Sequence, residues 1–306
     1  MLRHLRPKIK IAKTTTWQHH RSGWSDCMKA LMPLHTDQGV LLVDYVEEPI
    51  KMGNCIAEPW IGFVHNCIKN PVEIAKRYGM QHAIDLTSMI EKNAWIKSYD
   101  FCRGIFCMSS HSVDFISKRC PSLPVSYVKH PTHMPEIKFS LENYESQDSK
   151  KILMIGHWMR NFSSFVSLKC ENFKKLLLCV PSACRYEDLE GKVEMAPRLP
   201  NREYDDILSR SVVFLNLYDV AACNTILECI VRNTPVFINR LPGAVEYLGE
   251  NYPLFYEDLG HAEYLLQKKH LIEEAHSYLR ELSSAVDFSI DNFLCSVYRS
   301  KVYENL

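Results

Sequence analysis

The sequence predicts an α/β fold with two doubly wound parallel sheets, one in each half of the chain. Three observations carry that expectation. Short apolar runs bounded by Gly, Pro or Asn alternate with segments of helical periodicity along the 306 residues. That length accommodates two domains of about 150 residues each. The stretch 224–256, NTILECIVRNTPVFINRLPGAVEYLGENYPLFY, sets helix, turn, buried strand, Pro-Gly loop and second helix in a row. In this order an α/β domain turns a helix N-terminus toward an anionic ligand.

Each element has its own signal. Ile9 to Thr15 reads as the first strand, followed by the polar loop WQHHRSGW and the helix SDCMKALMPL, with Ser25 as its cap. Val40 to Val46 and Trp60 to His65 read as the second and third strands, and residues 71–100 carry long helical periodicity. Gly104 to Met108 is the fourth strand. Ser109-Ser110 caps the helix HSVDFISKRC, and Pro124 to Lys129 is the fifth strand. Polar, aperiodic residues 136–151 read as an interdomain segment.

A second series follows. Ile152 to Ile155 is a strand, then come the loop GHWMRN and a short Ser-capped segment, SSFVSL. Leu176 to Val180, Val193 to Ala196 and Val212 to Leu217 read as strands, with a helix at Tyr204 to Ser209. In the stretch 224–256, Asn224 and Thr225 cap a helix whose stripe is Ile226, Leu227, Ile230 and Val231, and Asn233-Thr234-Pro235 stops it. Val236 to Ile238 is a buried strand, Leu241-Pro242-Gly243 a turn, and everything beyond 261 helical.

Composition excludes several classes. With 46% hydrophobic and 24% charged residues the chain is globular, and Lys plus Arg (36) equals Asp plus Glu (36), so no overall field recruits a polyanion. No nucleic-acid partner is expected. The twelve cysteines are scattered without a C-x-x-C pair, and Cys67, Cys107, Cys179, Cys229 and Cys295 sit in apolar runs, which favours a reducing compartment. The basic start MLRHLRPKIK leads into a strand rather than an apolar signal core, and no run approaches 18 apolar residues. No signal peptide and no transmembrane segment are expected, and the location predicted is cytoplasmic. The C-x4-C spacings at Cys102/Cys107 and Cys179/Cys184 lack a second pair, so no metal site is predicted; nucleophile-elbow and P-loop patterns are absent.

The segment LECIVRNTPVFINRLPGAVEYL resembles the "E-A-x-x-x-G-x-P-V", strand, loop and acidic helix of family-4-like glycosyltransferases, with Asn233 in place of the usual Gly. IGHWMRN resembles the first strand and loop of the C-terminal domain of the GT-B fold, and RGIFCMSSHSVDFISKRCPSLPVSYVKHPT the last strand-helix-strand of its N-terminal domain. The resemblance implies two Rossmann-like domains facing a central cleft. It divides the chain into an acceptor-binding domain at 1–140, a linker at 141–151, a nucleotide-sugar-binding domain at 152–280 and a helical tail at 281–306 with the option of packing back on the N-terminal domain. One position departs from the pattern: those enzymes carry an acidic residue eight places before the helix Glu, and this chain has Val220 there with Asp219 beside it.

The resemblance implies a glycosyltransferase of the hexosyl- or pentosyl-transferring kind. It would move a sugar from a nucleotide-diphosphate sugar to a hydroxyl of a glycan, glycoprotein or other acceptor. The chain has no Asp-x-Asp, which leaves the metal-independent plan, with no cofactor beyond the donor substrate. Departing diphosphate must then be stabilised by cationic side chains and a helix end. Arg160 and the N–H groups of Asn224 and Thr225 are the candidates, with His157 and Asp219 in adjoining loops. Glu228 would accept from the donor ribose; otherwise it forms a surface i,i+4 pair with Arg232. His20, with His19 beside it, is the candidate base, because a pKa near 6.5 suits removal of a hydroxyl proton. Arg21, Gly23 and Trp24 in the same loop, with His65 and His130 at strand ends, are the candidate acceptor or cleft residues. Two alternatives use the same site: a catalytically inactive nucleotide-sugar-binding or scaffold protein, and a GT-B-like nucleotide-sugar epimerase.

Overall fold

The structure, a computed structural model, describes residues 5–12, 14, 23–70, 74, 84–178 and 191–306. The chain forms two compact units, one built from residues 1–133 and 288–306, the other from 134–287.

In the first unit, β1 (Ile9–Lys10), β2 (Val40–Val43), β3 (Trp60–Val64), β4 (Cys102–Cys107) and β5 (Val125–Tyr127) form one parallel sheet in that order. Ile9 pairs in parallel with two residues, Val40 and His35. A strand has only two edges, so the chain crosses from one side of β1 to the other between His35 and Val40. Winding reverses there, and the crevice favoured for ligands in open α/β sheets falls at the carboxyl ends of β1 and β2. Gly39 permits the crossing: a Cβ at that position would lie 2.5 Å from the carbonyl carbon of Ile9 and 2.6 Å from the oxygen of Lys8.

Period-2 alternation in β3 serves both faces of the sheet. Phe63 meets Trp24 of α1 (Trp24–Ala30) and stacks on Phe106, and Phe293 of the C-terminal segment packs against it at 6.2 Å. Trp60 and Val64 point the other way, into a core with Val46, Ile50, Met89 and Trp95. The helices α2 (Glu47–Lys51), α3 (Leu86–Glu91), α4 (Asn93–Tyr99) and α5 (Ser110–Arg119) complete this unit's first segment. Ser109 caps α5 as expected, its hydroxyl accepting from Ser112 N. Ser25 does not cap α1; Gly23 takes the cap position with no side-chain bond, and Ser25 lies within the helix. The strand expected to run to Val46 ends at Val43, and α2 begins at Glu47.

In the second unit the parallel order is β11-β10-β9-β6-β7-β8, with β6 (Lys150–Ile155) between β7 (Phe173–Leu178) and β9 (Val212–Leu215). The remaining strands are β8 (Glu194–Ala196), β10 (Val236–Asn239) and β11 (Phe255–Tyr256). Its switch point is therefore at β6 and β9. The segment read as a linker carries α6 (Leu141–Glu145), capped by Ser140 and anchored by the buried Tyr144, and it runs directly into β6. Phe139 N and Ser140 N donate to Arg232 O and Ser209 O. The stretch is thus folded onto this unit.

The helices of this unit are α7 (Phe162–Ser167), capped by Asn161 rather than by serine, α8 (Asn201–Ser209), α9 (Asn224–Arg232), α10 (Pro242–Leu248), α11 (Leu259–Leu266) and α12 (Lys269–Ala285). Pro242 and Gly243 belong to the first turn of α10, not to a loop, since Pro at the first helical position gives up an N–H that has no intrahelical acceptor. The final helices, α13 (Ile290–Tyr298) and α14 (Lys301–Glu304), return to the first unit.

Candidate functional site

In the second unit, three segments converge at the carboxyl ends of β6 and β9. Loop 156–161 opens with Gly156 at φ +80°, and Met159 adopts φ 59°, a left-handed conformation that costs a methionine energy. The surroundings enforce it. Met159 O accepts from Tyr218 N at 3.0 Å, Asn161 N donates to Asn216 O at 2.9 Å, and Arg160 bridges Leu217 in antiparallel fashion. Loop 216–223 is clamped in turn: Asn239, at the end of β10, accepts from Leu217 N at 2.8 Å and donates to Leu217 O at 2.9 Å.

Arg160 joins these loops to α9. Its Nε donates to Ile155 O (2.9 Å) and Nη1 to Trp158 O (2.9 Å), while Nη2 reaches Thr225 Oγ1 (3.0 Å) and Cys223 Sγ (3.4 Å). At 8% exposure it is no solvated loop charge. His157 is half-buried beside it, in the same loop.

Asn224 and Thr225 are the first two residues of α9, not its caps; Cys223 precedes them with extended backbone and no side-chain cap bond. Backbone bonding inside the helix starts at Ile226 N and Leu227 N, both donating to Cys223 O. The N–H groups of the first two positions have no acceptor within a helix. They form the positive end of its dipole, beside a buried guanidinium.

Glu228 is buried one turn further on and accepts from the hydroxyl of Tyr204, on α8, at 2.5 Å. The i,i+4 pair with Arg232 does not form through the carboxylate. Arg232, 1% exposed, sends Nε and Nη2 to Asp205 Oδ1 at 2.9 and 2.8 Å, and Nη1 to the Glu228 carbonyl. Asp219 is half-buried, and its Oδ1 accepts from Val220 N at 2.7 Å. Val220 is buried, and a Cβ on Gly243 would lie 2.1 Å from its oxygen, so the position expected to be acidic is a packing contact with α10.

The first unit gathers a second set. His19, His20 and Arg21 lie outside the described residues. Gly23 precedes α1 at its cap position, and the buried indole of Trp24 donates to Asp44 Oδ2 at 3.3 Å. His65 stands edge-on to Trp24 with centroids 4.3 Å apart, and its Nε2 lies 2.8 Å from Asp44 O. A carbonyl only accepts, so Nε2 bears the proton. Burial lowers the pKa of His65 to about 3, with neighbouring His130 pushing the same way, and the ring is neutral across the physiological range. An imidazole so reluctant to hold a proton is a weak base at neutral pH. His130 is buried 6.3 Å from Trp24, its Nδ1 donating to Pro131 O at 2.7 Å.

Sequence reasoning missed Asp44, Glu47, Tyr204 and Asp205. For the first two a signal existed: the acidic run D-Y-V-E-E-P directly after an apolar strand places carboxylates at a strand's carboxyl end. For Tyr204 and Asp205, on the inner face of α8, nothing in the spacing names partners twenty-odd residues away.

Among the described residues no three His, Cys, Asp or Glu side chains gather as a metal site, and no helix is long and apolar enough to cross a membrane.

No family profile matches the sequence, and no curated protein sequence matches it. Solved structures do. Sucrose-phosphate synthase from Thermosynechococcus elongatus matches with a TM-score of 0.62 at 11% identity, over 84% of this chain and 71% of that one. HepE from Anabaena, in complex with UDP-glucose, matches with 0.65 at 9% identity, over 96% and 98%. A point mutant of TarM from S. aureus, in complex with fondaparinux, alpha-GlcNAc-glycerol and UDP, matches with 0.61 at 13% identity; the chain spans 58% of its length. At these identities the likeness is one of fold: two parallel-sheet, Rossmann-like units of the GT-B kind.

Proposed function

We propose that the chain is a glycosyltransferase that moves a sugar from a nucleoside-diphosphate sugar to an acceptor hydroxyl without a metal ion. The observation that carries the reading is the junction of Arg160 with the N-terminus of α9 at the switch point of the second unit. A guanidinium and two helix-end N–H groups there suit a diphosphate, whose negative charge grows as the glycosidic bond breaks. Glu228, held by Tyr204, is assigned to the donor ribose. The acceptor is assigned to the Trp24, His65 and His130 cluster of the first unit, with His20 or His19 as the base that takes the hydroxyl proton. HepE and TarM, solved with UDP-glucose and UDP, make UDP the first probe.

Calorimetric titration with UDP, in EDTA and again with magnesium, tests the donor half. UDP is expected to bind equally in both, and Arg160→Ala and Glu228→Ala each to weaken binding by about tenfold or more, about 1.4 kcal/mol. Unchanged affinity in both variants defeats the placement.

A second reading is favoured by the burial of Val220 where an acidic residue is expected: a protein that binds nucleotide sugars without turning them over. Incubation with a panel of labelled donors separates the two. Transfer or hydrolysis to free sugar supports the enzyme, and tight UDP binding with no turnover supports the binder. A nucleotide-sugar epimerase would change the donor with no acceptor present.

A further inference from the structure

The first unit holds a carboxyl group that the donor-site reading does not use. Glu47 is 0% exposed at the first turn of α2. Its Oε1 accepts two successive backbone N–H groups, His65 at 2.6 Å and Asn66 at 2.7 Å, where the chain leaves β3. Its Oε2 is buried with no hydrogen-bond partner among the described residues. This asymmetry has a consequence. Ionised, the group leaves a charged oxygen buried with no hydrogen-bond partner among the described residues; protonated on Oε2, it removes that charge while Oε1 keeps both N–H bonds. Both protonation states therefore keep the same two backbone hydrogen bonds. Protonation does change their strength, because N–H donors hold a carboxylate about twice as strongly as a neutral acceptor.

We propose that Glu47 is a positioning residue that takes up and releases a proton inside the folded chain, and that its charge tightens or relaxes the His65–Asn66 turn and with it the Trp24 indole. The connection is direct. His65 Nε2 donates to Asp44 O, Asp44 Oδ2 accepts from Trp24 Nε1, and the His65 ring abuts the indole. Among the described residues, the other ionisable groups around Glu47 are Glu48 and Lys51 on its own helix, where Lys51 Nζ donates to Glu48 Oε2 at 2.6 Å, Asp44 and Tyr45 before it, His65 after β3, Cys107 at the end of β4, and Asp85 ahead of α3. Tyr45 and Cys107 are both raised by burial and by the charge of Glu47, so they stay neutral and offer it no cation. Asp85 is engaged with Ser88 N and Asn70 N. Burial raises Glu47 itself to about 7, partly offset by its two N–H donors. Resting on the acceptor assignment above, this makes acceptor engagement dependent on pH near neutrality.

The test stands on the first unit alone, so its failure leaves the donor reading untouched, and the UDP titrations do not bear on it. The amide signals of His65 and Asn66 and the indole N–H of Trp24 are followed by NMR in the full chain from pH 5.5 to 8.5. All three are expected to shift with one shared midpoint near 7, and Glu47→Gln, which keeps an oxygen on the two N–H groups, is expected to abolish the shared shift. Signals flat in the unsubstituted protein overturn the proposal, as does a midpoint that persists in Glu47→Gln. Should that variant not fold, the glutamate carboxyl carbon correlated through the hydrogen bonds with the His65 and Asn66 amides decides in the unsubstituted chain. It titrates with the same midpoint if the proposal holds, and it does not move across the range if the proposal fails.

Discussion

Glu47 gives the first unit a stability that depends on pH in an unusual direction. An ordinary glutamate is held ionised by folding; this one is held protonated, with its pKa raised from 4.5 to about 7 by burial. The folded chain then binds this proton more tightly than the unfolded chain. Its contribution to stability is fully present below pH 4.5 and is lost as pH rises through about 7. A difference of that size corresponds to about 3 kcal/mol. His65 runs oppositely: neutral when folded down to about pH 3, it lowers stability as pH falls below 6.5. Chemical denaturation of the unsubstituted chain and Glu47→Gln at pH 4.5 and 8 isolates the first effect. The stability difference between them is expected to change by about 3 kcal/mol in favour of the variant at pH 8; a difference that stays constant contradicts the linkage.

Residues of this kind mark the limit of what the sequence discloses. His65, His130 and Arg160 could be placed just past the ends of parallel strands, and Trp24 and Thr225 at the starts of the helices that follow, because the order of strands and helices alone fixes those positions. Burial partners were not legible. Arg232 has a carboxylate four residues back on its own helix, yet that carboxylate accepts from Tyr204, and Arg232 pairs instead with Asp205, both enclosed at 1% and 6% side-chain exposure. An enclosed charge takes the geometry that satisfies most of its donors.

Elements follow local chemistry where the backbone is constrained and depart from it where packing decides. Asn233 replaces the glycine of the resembling pattern because it sits at φ 58°, ψ 29° as the C-cap of α9, a left-handed position that asparagine tolerates. Its side chain also accepts from Ser283 at 2.9 Å, a bond glycine lacks. Gly243 is fixed by closeness rather than by conformation. A Cβ there would stand 2.1 Å from Val220 O, a backbone atom in a clamped loop that cannot swing aside. Gly243→Ala is expected to destabilise the chain by about 1–3 kcal/mol in thermal or denaturant unfolding. It is also expected to weaken UDP binding, by displacing loop 216–223. Gly260→Ala is the control: its Cβ would meet only Asp258 Oδ1 at 3.4 Å, inside α11, where alanine is the better helix former. Equal stability in the two variants would mean that α10 does not press on the loop. The short α2 and β11 escaped sequence reading because five and two residues carry too little periodicity, while β3, β6 and β9, wholly or mostly buried, declared themselves.

At the scale of the whole molecule, the chain closes the first unit with its last nineteen residues, since Phe288–Leu306 belong with Met1–His133. These residues are structural core, not an appendage. Phe293, Leu294, Val297, Val302 and Tyr303 are all buried. Phe293 lies against Phe63 and Trp24, and a Cβ on Gly104 of β4 would stand 2.5 Å from a methyl of Val302, so α14 packs onto the strand itself. Each such side chain contributes about 1.5–3 kcal/mol when withdrawn from water, so five amount to roughly 10 kcal/mol, comparable to the net stability of a whole domain. Ending the chain at Asp287 is therefore expected to unfold the first unit while leaving the second intact. The tryptophans report both at once: the indole signals of Trp24, Trp60 and Trp95 collapse to unfolded positions, while that of Trp158, in the loop after β6, stays where it is and UDP still binds. Retention of the Trp24, Trp60 and Trp95 signals in the shortened chain would show that the sheet of the first unit holds without its C-terminal helices.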